Sequence, residues 1–305
     1  MTHGHSGTSF PGTSFASASC LDASQPGTLY VVATPIGNLQ DLSPRAAQTL
    51  GSVARIAAED TRHSGRLLAH LGLNVPMLSL HDHNEAQRVE QLDRYLAAGE
   101  DIALISDAGT PLISDPGFVL VRALRQRGRH IVPVPGPSAL ITALSAAGLP
   151  TDRFTFAGFL PAKPAARKQA LEQWQGHEAT LVFYESPHRI VPTLAALSEV
   201  MGQREVVLAR ELTKTFETFL SGTPAELLIQ LEEDPNQARG EFVVMVHGAP
   251  PRTEQSQHAF SEETLLKTLL AEGVGVKQSA AVAARVFGGR KQSWYARLQA
   301  IKSDD

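Results

Sequence analysis

The residues of this 305-residue chain best suited to chemistry sit in short loops directly behind apolar runs. The richest is Leu104-Ile105-Ser106-Asp107-Ala108-Gly109-Thr110-Pro111-Leu112-Ile113-Ser114-Asp115-Pro116-Gly117. A buried strand over Ile102 to Ser106 gives way there to a helix over Phe118 to Arg127. Gly109 and Gly117 permit close backbone approach to a ligand, and Pro111 and Pro116 stiffen the segment. Four more segments share this placement: Thr34-Pro35-Ile36-Gly37-Asn38, Glu59-Asp60-Thr61-Arg62, His81-Asp82-His83-Asn84 and Glu185-Ser186-Pro187-His188-Arg189. In an open parallel sheet the strand ends share one edge, so hydroxyls, carboxylates and cations distant in sequence converge on one cleft. Each loop taken alone is equally an ordinary cap or turn. Their convergence is the functional signal.

Several chemistries lack their residues. His81 and His83 flank Asp82, but residues two apart in an extended segment point to opposite faces, so no metal site is expected. No Gly-x-Gly-x-x-Gly follows the first strand and no phosphate loop ends in Gly-Lys-Ser/Thr, which removes the usual cradles for dinucleotides and nucleoside triphosphates. Ser106, Ser138 and Ser186 stand outside any Gly-x-Ser-x-Gly elbow. Cys20 is the only cysteine, so neither a disulfide framework nor a cysteine zinc site is available, as in a reducing cytoplasm. His3 and His5 lie in the same Ser/Thr/Gly-rich opening, where two histidines are ordinarily solvated.

The elements that must position the loops follow from the hydrophobic pattern. With 43% hydrophobic residues the chain can build a large core. No apolar run approaches the roughly 20 residues of a membrane span, and the opening lacks the basic start and apolar core of a secretory leader. A soluble cytoplasmic protein is expected. From Thr28 to Pro135 short strands (Leu29 to Ala33, Arg55 to Ala58, Met77 to Leu80, Ile102 to Ser106, Ile131 to Val134) alternate with helical segments, the pattern of a parallel sheet. Ser43 before Pro44, and Asn84 before Glu85 to Ala98, mark helix starts. Pro133, Pro135 and Pro137 around Gly136 punctuate the chain, and Ser138 can cap a helix over Ala139 to Ala147. The second block reads as strands at Phe154 to Phe159, Thr180 to Tyr184, Val206 to Arg210, Thr215 to Ser221 and Phe242 to His247, the third and fourth close enough for an antiparallel hairpin in a mixed sheet. The expected organisation is a disordered tail over 1–26, α/β domains over 27–135 and 136–249, a linker over 250–260, and a helical module over 261–305 that begins at a Ser261 cap.

That module carries the chain's one electrostatic asymmetry. The net charge is −4, which gives no general attraction to polyanions. Between Gly273 and Ser303, however, Lys277, Arg285, Arg290, Lys291, Arg297 and Lys302 face no acidic residue in the sequence. Lys277 to Phe287, the break Gly288-Gly289, and Lys291 to Ile301 have the proportions of a helix-turn-helix. Charge alone leaves a nucleic-acid grip and a solvated helix face equally open.

Five ordered motifs carry a resemblance: Ala33-Thr34-Pro35-Ile36-Gly37-Asn38-Leu39, Ala58-Glu59-Asp60-Thr61-Arg62, Ser106-Asp107-Ala108-Gly109-Thr110-Pro111, Pro135-Gly136-Pro137-Ser138-Ala139 and Tyr184-Glu185-Ser186-Pro187-His188-Arg189. From about Gly27 to His247, with the helical module in its place, the chain resembles the small-subunit ribosomal RNA methyltransferase I family of the tetrapyrrole methylase superfamily. The resemblance implies two α/β domains of the tetrapyrrole methylase type, S-adenosylmethionine in the cleft between them, a homodimer, and methylation of a cytidine ribose 2′-oxygen in small-subunit (16S) rRNA, as free rRNA or the assembled small ribosomal subunit. It places the cofactor against Pro35 and Ile36, against Asp107, Gly109, Thr110, Pro111 and Ile113, and against Ser138 and Ala139. Phe183 and Gly240-Glu241-Phe242 are expected to close the far side. Thr110 stands where many tetrapyrrole-modifying relatives carry an Asp, so that carboxylate's ribose contact has no counterpart here.

For such a transfer the 2′-hydroxyl, methyl carbon and sulfur must lie in line, about 3 Å between the reacting atoms. A base or a positive neighbour favouring the alkoxide helps, because a ribose hydroxyl is a weak acid. Asp60 and Glu185 are the candidate bases, and Arg62, His188, Arg189 and Lys214 are candidates to hold phosphate or the developing oxyanion. Asp60 paired with Arg62, and Glu185 with Arg189, could equally organise their loops. Two rival functions stay open: methylation of a tetrapyrrole precursor, which needs no basic module, and a non-catalytic nucleic-acid-binding regulator that uses the helix-turn-helix as reader.

Overall fold

The computed structural model describes residues 25–81, 84–251 and 262–303. Most of the expected tail and linker, Asp82, His83 and the Ser261 cap lie outside them. In the first half, β1 (Thr28–Val32), α1 (Pro44–Ser52), β2 (Arg55–Ala58), α2 (Thr61–His70), β3 (Met77–Ser79), α3 (Glu85–Ala97), β4 (Ile102–Ile105), α4 (Phe118–Gln126) and β5 (His130–Val134) alternate as the pattern predicts. The strands form a parallel sheet in the order β3-β2-β4-β1-β5. Because strand side chains alternate, Val32, Ile56, Ala58 and Ile105 bury one face against Leu50 of α1 and Leu68 of α2. Leu29, Ala57, Ile102 and Leu104 bury the other against Leu92 and Leu96 of α3 and Leu120 and Leu124 of α4. The chain leaves β1 toward β2 over one face and leaves β4 toward β5 over the other. At the carboxyl ends of the neighbouring β1 and β4 the connections therefore part, and an open α/β sheet keeps its ligand crevice at such a point.

Local chemistry sets the helix starts. Ser43 Oγ accepts the Ala46 N–H at 3.1 Å, a cap worth about 1 kcal/mol, and Pro44 follows at the first helical position. Asn84 precedes α3 but does not cap it. Its Oδ1 accepts the His81 N–H at 2.9 Å and its Nδ2 donates to the Ser79 carbonyl at 3.1 Å, which ties down the exit of β3 instead. Ser138 likewise stands before its helix without a side-chain cap bond.

The second half comprises α5 (Ala139–Ala146), β6 (Phe154–Phe159), α6 (Pro164–Gln173), β7 (Thr180–Glu185), α7 (Ile190–Met201), β8 (Val206–Arg210), β9 (Thr218–Gly222), α8 (Pro224–Glu233) and β10 (Phe242–Val246). Its sheet runs β6-β7-β10-β8-β9, with only β6 and β7 parallel. The β8–β9 pair is the expected hairpin. β9 begins at Thr218 rather than Thr215 because Arg210 reaches back to donate to the Phe216 carbonyl at 2.8 Å and holds that stretch in the turn. Helices α6, α7 and α8 cover one face around Phe183, Leu208 and Val244. On the other face α5 packs Leu140, Ala143 and Leu144 onto Val182, Val207, Val243 and Met245, and Ile36 from the first half joins that cluster. Both sheets belong to one compact unit that ends at His247.

A second unit, Gly248–Asp305, contains helices Glu262–Ala271, Val276–Val286 and Lys291–Ser303. Leu266, Ala280, Ala283, Trp294 and Leu298 form its core. The turn into the last helix uses Gly288 and Gly289 at φ 77° and 84°, and Trp294 Nε1–H donates to the Gly288 carbonyl at 2.7 Å.

Candidate active site

The strand-end loops of the first half and the inner face of the second sheet enclose a cleft of about 500 Å³, within the range of roughly 300–1,000 Å³ typical of small-molecule sites. Backbone bonds assemble its floor. Thr34 and Gly109 exchange N–H to carbonyl bonds at 2.8 and 3.0 Å, joining the β1 and β4 loops at the point where the connections part. Gly109 sits at φ 81°, and a Cβ there would stand 3.3 Å from Ile36 Cγ2. Thr110 Oγ1 donates to the Pro137 carbonyl at 3.0 Å, which draws the start of the second half onto the same loop. Leu112 and Ser114 adopt φ 73° and 69°, left-handed conformations that non-glycine residues hold only under surrounding constraint.

Among the residues expected to meet the cofactor, Ile36, Gly109, Thr110, Ile113, Ser138, Ala139, Glu241 and Phe242 line this cleft. Pro35, Asp107, Pro111, Phe183 and Gly240 do not. Phe183 is fully buried on the helical side of its sheet, because its neighbours Val182 and Tyr184 take the inner face and alternation sends Phe183 the other way. Asp107 binds its neighbouring loop, its Oδ1 accepting the Asp60 N–H at 3.1 Å. Gly240 is conformational: at φ 88° it leaves room for Glu211, whose side chain would lie 2.5 Å from a Cβ.

Of the expected catalytic residues only Glu185 lines the cleft. It is 3% exposed and accepts from Thr193 Oγ1 at 2.7 Å and the Ser186 N–H at 2.9 Å, with Arg189 Nε at 3.2 Å. Arg189 also donates to the Leu160 carbonyl. His188 is exposed. Asp60 caps α2 by accepting the Arg62 N–H at 2.8 Å and pairs with the Arg62 guanidinium at 2.9 Å. Those bonds hold its carboxyl down at about 2, which makes it a weak base. Lys214 Nζ bridges Glu211 at 2.9 Å and Glu241 at 2.8 Å. Burial works against its ammonium, but these two carboxylates outweigh burial and raise its pKa.

The cleft also holds residues that the motifs did not single out as site residues, among them Ala108, Phe159, Leu212, Val243, Tyr184 and Asp115. Tyr184 Oη accepts the Leu140 N–H at 3.2 Å, and its pKa is raised, mainly by burial. Asp115 belongs to the Gly/Pro loop itself. Burial, then the nearby Glu59 and Asp107 carboxylates, push its carboxyl up to about 6 against the opposing bond from Ser106. Among the described residues no group of His, Cys, Asp and Glu is arranged to hold a metal ion.

Apolar side chains of Ile36, Ile113, Leu212 and Val243 beside the hydroxyls of Thr110 and Ser138 suit S-adenosylmethionine, which carries no phosphate and presents an apolar-faced adenine with a polar amino-acid end. Residues 28–228 match the model of the Tetrapyrrole (Corrin/Porphyrin) Methylases, and residues 261–302 match that of the RsmI C-terminal HTH domain. The chain is 52% identical over 273 residues to ribosomal RNA small subunit methyltransferase I of Xylella fastidiosa, covering 89% of this chain and 99% of that one. The Pseudomonas aeruginosa protein of that name is 54% identical over 271 residues, covering 88% and 95%. Among solved structures, diphthine synthase superposes with a TM-score of 0.56 at 14% identity, over 73% of this chain and 90% of that one. Uroporphyrin-III-C-methyltransferase from Thermus thermophilus does so at 0.51 and 23%, over 72% and 94%. These two likenesses concern the fold. Fold, motif order and sequence identity over both units agree: the chain belongs to the tetrapyrrole methylases, in the family of ribosomal RNA small subunit methyltransferase I.

Proposed function

We propose that this chain transfers the methyl group of S-adenosylmethionine to the ribose 2′-oxygen of a cytidine in small-subunit rRNA. The chain is an S-adenosylmethionine-dependent methyltransferase by family, and one observation carries the reading of its site. The β1 and β4 loops, joined through Thr34 and Gly109, close a cleft against the second sheet at the crevice where such folds bind ligands. Ile36, Gly109, Thr110, Ile113, Ser138, Ala139, Glu241 and Phe242 would hold the cofactor, with Pro35, Asp107, Pro111, Phe183 and Gly240 shaping the loops and strands behind them. When bound, the sulfonium supplies an activated methyl group. The chain's own residues then have to exclude water, fix the ribose at near-attack distance and accept a proton.

The helical unit supplies the RNA grip. Lys277, Arg285, Arg290, Lys291, Arg297 and Lys302 are all exposed, and Arg297 pairs with Glu262. Exposed cations on a helix-turn-helix suit phosphates. Arg62, His188 and Arg189, which do not line the cleft, are further candidates for phosphate contact. A homodimer is the proposed working form, supported by large apolar side chains left exposed on α4 and α5, Phe118, Val119 and Ile141; light scattering tests it. No described helix is long and apolar enough to cross a membrane, and a cytoplasmic location follows from the proposed substrate.

Incubation of the purified protein with methyl-labelled S-adenosylmethionine and, separately, assembled small subunits, naked small-subunit rRNA and a tetrapyrrole precursor tests the reading. The expected product is alkali-resistant label at one cytidine. Label in the tetrapyrrole alone, or in no acceptor, overturns it.

A further inference from the structure

Three carboxylates line the cleft, and two of them are tied. Glu185 is held by Thr193, Ser186 and Arg189, and Glu241 by Lys214. Asp115 is the third, and among the described residues it has a bond from Ser106 but no ion pair. Its position is nonetheless fixed: it follows the left-handed Leu112 and Ser114 and precedes Pro116 and Gly117. Ser114 Oγ lies 3.5 Å from where a Cβ on Gly158 would stand, so the loop that carries Asp115 reaches across to β6 of the second half.

We propose that Asp115 is the general base of the methyl transfer, its carboxylate accepting the proton of the ribose 2′-hydroxyl. The proposal deepens the methyl-transfer reading of this cleft and rests on it. The hydroxyl's O–H bond breaks toward Asp115, the freed oxygen pair forms the new bond to the methyl carbon, and the pair of the breaking carbon–sulfur bond stays on sulfur. Carboxylate and sulfonium become carboxylic acid and thioether, so charge and electrons balance. The groups that face Asp115 are Ser106, Glu59 and Asp107 from the first half and Tyr184 from β7. A carboxyl lifted to about 6 is mostly ionised at neutral pH yet accepts a proton more readily than an exposed one. Asp60, held at about 2 by Arg62, is far weaker.

The test compares wild type, Asp115→Asn and Asp115→Glu in single-turnover transfer to small ribosomal subunits across pH, with S-adenosylmethionine affinity measured by calorimetry. The Asn variant should be slower by about a hundredfold or more, lose the fall in rate below about pH 6, and bind the cofactor as wild type does. The Glu variant should fall between the two. Thermal melts give a second readout. The folded carboxyl titrates near 6 and the unfolded one near 3.8, so this group's stabilising contribution is present below the unfolded value and lost as pH rises through the folded one. The Asn protein lacks that loss, and its advantage in Tm should appear between about pH 4 and 7. Wild-type rate and pH profile in the Asn variant overturn the proposal, and so does lost cofactor affinity with an undiminished rate at saturation. Should the Asn protein fail to fold, an unslowed Glu variant overturns it as well. A wild-type protein that labels no RNA removes the substrate reading first, which separates that failure from this one.

Discussion

Asp60 and Glu185 show how the same carboxylate group is put to different use by its contacts. Asp60 accepts three N–H groups of Arg62, one from the backbone and two from the guanidinium, and its folded pKa near 2 against the ordinary 3.8 means its contribution to stability is present above the ordinary value and lost as pH falls through about 2. Asp60→Asn keeps an oxygen for the α2 cap, so single-turnover methylation should stay within about threefold of wild type, while the acid side of the melting profile flattens. Glu185 is buried, accepts from two donors and pairs with Arg189, and Glu185→Gln leaves Arg189 without its counter-ion. Urea unfolding should show a loss of about 1–3 kcal/mol, with any loss of rate following the loss of folded protein.

The cleft depends on the meeting of loops rather than on any single strand. Gly109 exchanges two backbone bonds with Thr34 and occupies a left-handed conformation beside Ile36. Gly109→Leu adds a side chain where a Cβ alone comes within 3.3 Å of Ile36, and the left-handed backbone costs about 1–2 kcal/mol more. Calorimetry should show cofactor affinity down by at least about tenfold in a protein whose circular dichroism remains native. Undiminished binding would place the cofactor elsewhere. Gly37 belongs to the same design, since a Cβ there would come within 2.5 Å of Lys214 Cγ and disturb the Lys214–Glu211–Glu241 network.

At the scale of the molecule, the cleft and the basic helices lie in two compact units, and the proposed function assigns catalysis to the first and RNA binding to the second. Deleting Pro250 to Asp305 leaves the unit that contains the whole cleft. Cofactor affinity should persist in the truncated protein and the apparent KM for RNA should rise. The salt slope of RNA binding should fall by about 0.7 for each phosphate that the missing cations no longer neutralise. An unchanged slope would give the helical unit another task.

Element type and order were legible in the chain because they depend on near neighbours. The apolar runs Arg55 to Ala58 and Ile102 to Ser106, the Ser43–Pro44 helix start and the Gly/Pro loops all act within a few residues, and the strands and helix stand within a residue of where they are expected. The two-residue period of a strand could likewise have turned Phe183 away from the cleft, since Val182 and Tyr184 take the inner face. The Asp60–Arg62 and Glu185–Arg189 pairs are also local and stand as expected, whereas tertiary structure alone decided the electrostatic role of Lys214 and Asp115. Lys214 finds Glu241, 27 residues on, and ceases to be a free cation. Asp115 is raised by burial first, then by Asp107 of its own loop and by Glu59, which follows β2 and which the parallel order β2-β4 brings to the same edge. A pKa follows distance in space and exclusion of water, and the sequence records neither until the sheet has been assembled.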